Sequence, residues 1–107
     1  MALDTYSLYA RFDVGPKLVP TVDTLEVNTT SRIAELQLLN PTAGVITAYV
    51  TDNQSPAFYI IPPIAIAANG GTVSFKSDDQ RGRLMTLGIR WSATAPNLQG
   101  YIRGVRL

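Results

Sequence analysis

The sequence contains no cysteine and no histidine, and few of its residues are charged. Without cysteine there is no disulfide framework, thiolate zinc site or cysteine nucleophile, and without histidine there is no His-dependent catalytic triad. Charged residues make up 16% of the chain, against about 25% in an average soluble domain. We therefore expect a protein that is not an enzyme and that binds no cofactor or metal.

The length and charge limit the domain count and the partners. A chain of 107 residues predicts one small domain. Its formal charge is only +1, whereas neutralising the phosphates of a nucleic acid requires a clear excess of basic residues. No nucleic-acid partner is therefore expected. The longest apolar stretch, 58–68, contains two prolines and is too short to span a bilayer. Residues 1–10 lack a secretory signal pattern, so no membrane partner is expected, and the lack of cysteine fits synthesis in a reducing cytoplasm.

Apolar and polar residues alternate with the period of β-strands. Segments 34–38 and 45–51 alternate around an Asn-Pro-Thr-Ala-Gly turn, which predicts a hairpin. A strand over 58–61 is expected to stop at two prolines. The Asn69-Gly70-Gly71 sequence predicts a second hairpin, with its returning strand over 72–75.

A long strand is predicted over 85–92 and a further one over 101–107. Residues 6–12 also alternate, before a Gly-Pro pair at 15–16 and a proline at 20 interrupt the pattern. Seven or eight short strands and no capped helical window predict an all-β fold, a single antiparallel β-sandwich of jelly-roll or immunoglobulin-like type. Residues 1–20 are expected to form an extended N-terminal arm or edge strand, and residues 21–107 the sandwich domain.

The aromatic residues divide into a core group and an exposed group. Trp91 continues the alternation of Met85, Leu87 and Ile89, which predicts that all four face the core. Tyr49 and Tyr59 fall out of phase with their buried neighbours. Exposed tyrosines could stack on sugar rings, although cross-strand packing is their commoner role. The acidic pair at 78–79 fits a solvated turn better than a weak cation site.

Segment 57–67 is apolar on both faces of the predicted strand. Only one face of a strand in a two-layer sandwich is buried, so something must cover the other face. The N-terminal segment folding over it and a subunit interface are both open explanations. Arginines near the end of the sequence could be solvated or could add charge pairing to a contact. The candidate interface residues are Phe58, Tyr59, Ile60, Ile61, Ile64, Ile66, Arg90, Arg103 and Arg106.

Four segments carry a resemblance to a known class of proteins: LQLLNPTAG (36–44), YIIPPIAIAANGG (59–71), LGIRWSATAP (87–96) and GYIRGV (100–105). Their order resembles that of small β-sandwich structural proteins of tailed bacteriophages. The resemblance implies a virion component made in the host cytoplasm, such as a capsid decoration protein, a head-fibre base or a head–tail accessory subunit. It implies capsid or tail subunits as partners and a homo-oligomer, and it carries no catalytic residue.

The function predicted from the sequence is therefore that of a non-enzymatic structural protein that assembles through subunit interfaces. The alternative is a carbohydrate- or receptor-binding module that uses Tyr49 and Tyr59. A small enzyme ranks third because histidine and cysteine are absent.

Overall fold

The computed structural model describes residues 11–77, 83–85 and 87–106, which contain nine strands and no helix. The strands are β1 (Arg11–Leu18), β2 (Thr24–Val27), β3 (Ser31–Asn40), β4 (Ile46–Asp52), β5 (Tyr59–Ile66), β6 (Gly71–Lys76), β7 (Arg83–Met85), β8 (Ile89–Ala93) and β9 (Gln99–Arg106). The predicted all-β class is confirmed, with nine strands in place of seven or eight. The additional ones include β2, which the sequence pattern did not predict.

The strands form two antiparallel sheets. The first sheet has the order β1-β9-β3-β6, with the short β7 also paired to β3, and the second sheet has the order β2-β8-β4-β5. Among the described strands, β4 and β5 are the only pair that follow each other in the chain and are also hydrogen-bonded to each other. Most of the other connections carry the chain from one sheet to the other. Of the two predicted alternatives, this topology is that of a jelly roll.

The core lies between the two sheets and is built from alternate residues of their strands. Along β3 the buried positions recur with a period of two, apart from an irregularity at Ala34, where the register with β9 shifts. Trp91 on β8 is fully buried, as predicted. The largest buried side chains around it are Ile33, Leu36, Leu38, Ile46, Ile66, Met85, Ile89, Leu98 and Ile102.

The predicted hairpin between segments 34–38 and 45–51 is wrong. Both segments are strands, but β3 belongs to the first sheet and β4 to the second. The turn between them carries the chain across the sandwich, and the fully buried Asn40 holds it in place. The side-chain Nδ2 of Asn40 donates to the carbonyl oxygens of Gly44, at 2.7 Å, and Ile66, at 3.0 Å. Its Oδ1 accepts a hydrogen bond from the amide of Thr42 at 3.0 Å.

The predicted hairpin at Asn69-Gly70-Gly71 is also wrong, although the turn is present. Asn69 and Gly70 have φ values of 60° and 99°, which is the conformation that favours these residue types. The turn joins β5 in the second sheet to β6 in the first. The amides of Asn69 and Gly70 donate to the carbonyls of Thr42 and Asn40, both at 2.7 Å, so the two crossing turns support each other.

The long strand predicted over 85–92 is two strands in different sheets. Leu87 and Gly88 have φ values of 60° and 125° and separate β7 from β8. A Cβ on Gly88 would lie 2.1 Å from the carbonyl oxygen of Val27, so only glycine fits. Met85 and Ile89 still face the core, but Leu87 is 58% exposed. The alternation of apolar and polar residues continues across the change of sheet, so the sequence pattern is that of a single strand.

Strand β5 continues through Pro62 and Pro63, contrary to the predicted stop. It is the edge strand of the second sheet, where a proline does not interrupt a central ladder. Val50 pairs with Ile61 and Ala48 with Ile64, so the two prolines together oppose Tyr49 in a bulge.

The described part of the predicted arm is also an edge strand. Strand β1 runs through Gly15 and Pro16 and pairs with β9, with a shift in register between Val14 and Lys17. Residues 1–10 lie outside the described residues.

Candidate functional site

Six of the candidate interface residues lie on or beside β5, and they divide into buried and exposed groups. Ile61 and Ile66 are core residues, 5% and 1% exposed. Ile60 is half-buried against the core. Phe58, Tyr59 and Ile64 are exposed, although all three side chains are large and apolar or aromatic.

An apolar flank runs along one side of the sandwich, where β5 and β6 lie against each other. We define it by Ile60, Ile64, Val73 and Phe75 with the exposed Pro62 and Pro63. Cross-strand partners share a face of the sheet, and the partners of Ile64, Val73 and Phe75 are core residues. These three side chains therefore face inward, yet they are half-buried or exposed because no further strand adjoins them within the described chain.

The described N-terminal residues do not cover this flank. Residues 11–18 pair with β9 at the far edge of the first sheet, and both β9 and β3 lie between them and β6. Residues 1–10, the rest of the predicted N-terminal arm, lie outside the described residues. Among the residues that the structure describes, the flank remains open to a partner.

The three candidate arginines lie on central strands and do not border the flank. Arg90 on β8 binds Asp23 of the segment before β2, with Nη1 3.0 Å from Oδ1. Arg103 on β9 lies 3.6 Å from the carboxylate of Asp13 on β1. Arg106, also on β9, lies over the ring of Phe12. The structure therefore does not gather the nine candidate residues into one surface.

A second cluster occupies the outer face of the second sheet, and we call it the tyrosine face: Tyr49, Tyr59, Asp23, Arg90 and Asn53. The rings of Tyr49 and Tyr59 meet edge to face, with centroids 5.9 Å apart and planes at 84°. Tyr59 is 46% exposed and Tyr49 is half-buried, which agrees with their predicted outward positions.

Hydrogen bonds fix the polar part of the tyrosine face. The hydroxyl of Tyr49 donates to Oδ2 of Asp23 at 2.8 Å, while Arg90 Nη1 donates to Oδ1 at 3.0 Å. Arg90 Nε donates to Oδ1 of Asn53 at 2.6 Å. Sequence reasoning missed Asp23 and Asn53, because both lie in loops far along the chain from Arg90 and only the sheet order brings them together.

The electrostatics of the tyrosine face keep Asp23 ionised. Partial burial raises the pKa of Asp23, but the hydrogen bonds from Tyr49 and Arg90 and the charge of Arg90 outweigh this, so the pKa lies below its ordinary value of 3.8. Burial and the neighbouring carboxylate raise the pKa of Tyr49 above 10.0. At neutral pH the face therefore carries one paired negative and one paired positive charge.

We expect Asp23→Asn to destabilise the fold only at pH values where Asp23 is ionised. A carboxylate with a lowered folded pKa stabilises the protein above its unfolded pKa of about 3.9, and this contribution is lost as the pH falls through the folded pKa. The side chain is 49% exposed, so the effect at pH 7 is expected to stay below about 1 kcal/mol. Denaturant unfolding at pH 7 and pH 2.5 measures it. Asp13→Asn is the control, because its ion pair is longer and more exposed, and an equal effect at both pH values would contradict the expectation.

The outer face of the first sheet carries a half-open cavity of about 210 Å³, lined by Arg11, Phe12, Asp13, Ala34, Glu35, Arg103 and Gly104. Two of its charged groups form an ion pair, Arg103 with Asp13, and Glu35 accepts a hydrogen bond from the hydroxyl of the neighbouring Tyr101. That hydrogen bond, partial burial and the charge of Glu35 raise the pKa of Tyr101 above 10.0. The arrangement offers no nucleophile with an adjacent base.

Two negative findings apply to the described ranges 11–77, 83–85 and 87–106. They hold no group of three or more acidic residues that could bind a metal ion, and no helix in them is long and apolar enough to cross a membrane. The acidic pair at 78–79, predicted to form a solvated turn, lies outside these ranges.

Comparison with known proteins gives no relative: no family model, no curated protein and no solved structure matches the chain.

Proposed function

We propose that the protein is a non-enzymatic structural subunit of a bacteriophage particle, a capsid decoration protein or a head or tail accessory subunit. The resemblance of four sequence segments to small phage structural proteins supports the kind of particle. The jelly roll is also a fold of viral capsid domains, and this is support by analogy, since one fold serves many functions.

The observation that carries the proposal is the apolar flank. Inward-facing side chains at the edge of a core are normally covered, because leaving them in water forfeits about 25 cal/mol for each Å² of apolar surface. Ile64 is 41% exposed, and Val73 and Phe75 are only half-buried. A second copy of the chain, packed flank to flank, would cover them symmetrically.

The flank is suited to side-chain packing. Pro62 and Pro63 have no amide hydrogen to donate to a neighbouring strand, and they occupy the bulge in β5. They present rigid apolar rings beside Ile64. The interface centre is therefore expected at Ile64 and Phe75.

We expect the protein to form an oligomer of fixed size in solution, and Ile64→Asp to dissociate it. A carboxylate buried in an apolar contact without a partner costs several kcal/mol, which weakens association by about 100-fold or more. Light scattering over a hundredfold range of concentration gives the molar mass. Ile64 is partly exposed in the isolated subunit, so the variant is expected to remain folded, which circular dichroism checks.

The matched control is Val22→Asp, which introduces the same charge at a residue that is 68% exposed and lies just before β2, at the opposite edge of the second sheet. It is expected to keep the wild-type molar mass. A wild-type protein that is monomeric at every concentration, or an Ile64→Asp variant that stays assembled, would contradict the proposal.

A further inference from the structure

The tyrosine face has features that assembly through the flank does not use. Tyr59 pairs with Thr51, and Thr51 pairs with Arg90 across the sheet. Neighbouring strands lie about 4.8 Å apart, so Tyr59 and Arg90 are separated by two strand spacings, or about 10 Å. An exposed aromatic ring and a fixed polar group thus lie on one surface, with the buried Thr51 between them.

We infer that the tyrosine face binds a neutral pyranose sugar. The apolar face of a sugar ring is complementary to the exposed ring of Tyr59, and its hydroxyls match groups that both donate and accept hydrogen bonds. The edge-to-face contact with Tyr49 holds the rings at 84°, so that they form two sides of a corner. The sugar ring lies on Tyr59 and its hydroxyls point toward Asp23 and Arg90.

The polar groups are already oriented before any ligand binds. Arg90 has five N–H donors, and the bonds to Asn53 and Asp23 use two of them. Each oxygen of Asp23 accepts one of these described bonds and has a further lone pair. Groups held in place by neighbouring hydrogen bonds lose little freedom on binding, which favours affinity.

The charge balance of the face favours a neutral sugar over an acidic one. The positive charge of Arg90 is paired with Asp23 at 3.0 Å. A carboxylate or phosphate on the ligand would have to compete with Asp23 for Arg90 and would approach a like charge. Hydroxyl groups meet no such repulsion.

Saturation-transfer NMR with methyl glucoside, methyl galactoside and methyl mannoside tests this inference. Wild-type protein is expected to bind at least one of them with a dissociation constant on the order of 1 mM, typical of a small exposed ligand. Tyr59→Ala is expected to weaken binding about tenfold or more, because the stacking ring is lost. Tyr59→Phe keeps the ring and is expected to stay within about twofold of wild type.

Phe58→Ala is the matched control, because Phe58 is the neighbouring exposed aromatic residue, 48% exposed against 46% for Tyr59. Its variant should bind as wild type does. Asp23→Ala should weaken binding about tenfold by removing an acceptor and releasing Arg90. The absence of binding to all three glycosides, or equal binding by wild type and Tyr59→Ala, would overturn the inference.

The Ile64→Asp variant separates sugar binding from assembly, because Ile64 faces inward and the tyrosine face lies on the outer side of the sheet. Unchanged affinity in that variant would support a site contained within one subunit. Loss of binding together with loss of assembly would overturn the inference as stated.

Discussion

Gly104→Ala is expected to lower the free energy of unfolding by about 3 kcal/mol or more, because the added methyl group has no space in the backbone. A Cβ at this position would lie 2.0 Å from the carbonyl oxygen of Arg32 and 3.1 Å from the Phe12 ring. Gly104 pairs with Phe12 on one side and Ile33 on the other. A backbone atom in the middle of a sheet cannot move aside as a flexible side chain can.

Denaturant unfolding followed by tryptophan fluorescence measures this effect, because the only tryptophan, Trp91, is fully buried. Gly44→Ala is the control: nothing lies within 4 Å of its Cβ position, so its change should stay within about 0.5 kcal/mol. Insoluble Gly104→Ala beside soluble Gly44→Ala would count as agreement. A Gly104→Ala variant as stable as Gly44→Ala would contradict the close approach of β3 and β9.

Asn40→Ala is expected to cost about 2–4 kcal/mol, since it removes three hydrogen bonds made by a fully buried side chain. The side chain satisfies the carbonyls of Gly44 and Ile66 and the amide of Thr42. These groups belong to the turn between β3 and β4 and to the end of β5. Losing these hydrogen bonds loosens both turns in which the chain passes from one sheet to the other, β3 to β4 and β5 to β6.

Asn40→Asp distinguishes the hydrogen bonds from the volume of the side chain. Aspartate has the same size but cannot donate to the two carbonyls when ionised, so at pH 7 it should destabilise at least as much as alanine. Asn28→Ala, at an exposed position, should have little effect. If Asn40→Asp were as stable as wild type, the donor role assigned to Asn40 would be wrong.

The sequence predicts which residues face the core but not which strands are neighbours. The burial of Trp91, Met85 and Ile89 agrees with alternation, because the period of two decides the face of a strand. Leu87 continues the same alternation but is exposed, because it lies where the chain changes sheet. The partners of β3 do not follow, because alternation is the same whether the chain turns back or crosses to the other sheet. The hydrogen bonds of the buried Asn40 stabilise the turn that crosses to the other sheet. An asparagine before a proline is equally compatible with a hairpin turn, so the sequence does not distinguish the two.

The candidate sites were predictable to a similar extent. The apolar excess of segment 57–67 identified β5, and phase correctly placed Tyr49 and Tyr59 outward. The flank also needs Val73 and Phe75 from β6, and the tyrosine face needs Asp23 and Asn53. These residues become neighbours only through pairings between distant strands, which no local pattern contains.

The position of β9 has a consequence for the order of events during synthesis. This strand, the last of the nine described, lies between β1 and β3 in the first sheet. Strands β1 and β3 are therefore joined only through β9, and β1 has no partner strand in this sheet until residues 99–106 have left the ribosome. Proteins dominated by such distant pairings fold slowly, in milliseconds to seconds, and their unpaired strands are exposed meanwhile. The nascent chain must therefore stay soluble at least until β9 has been synthesised.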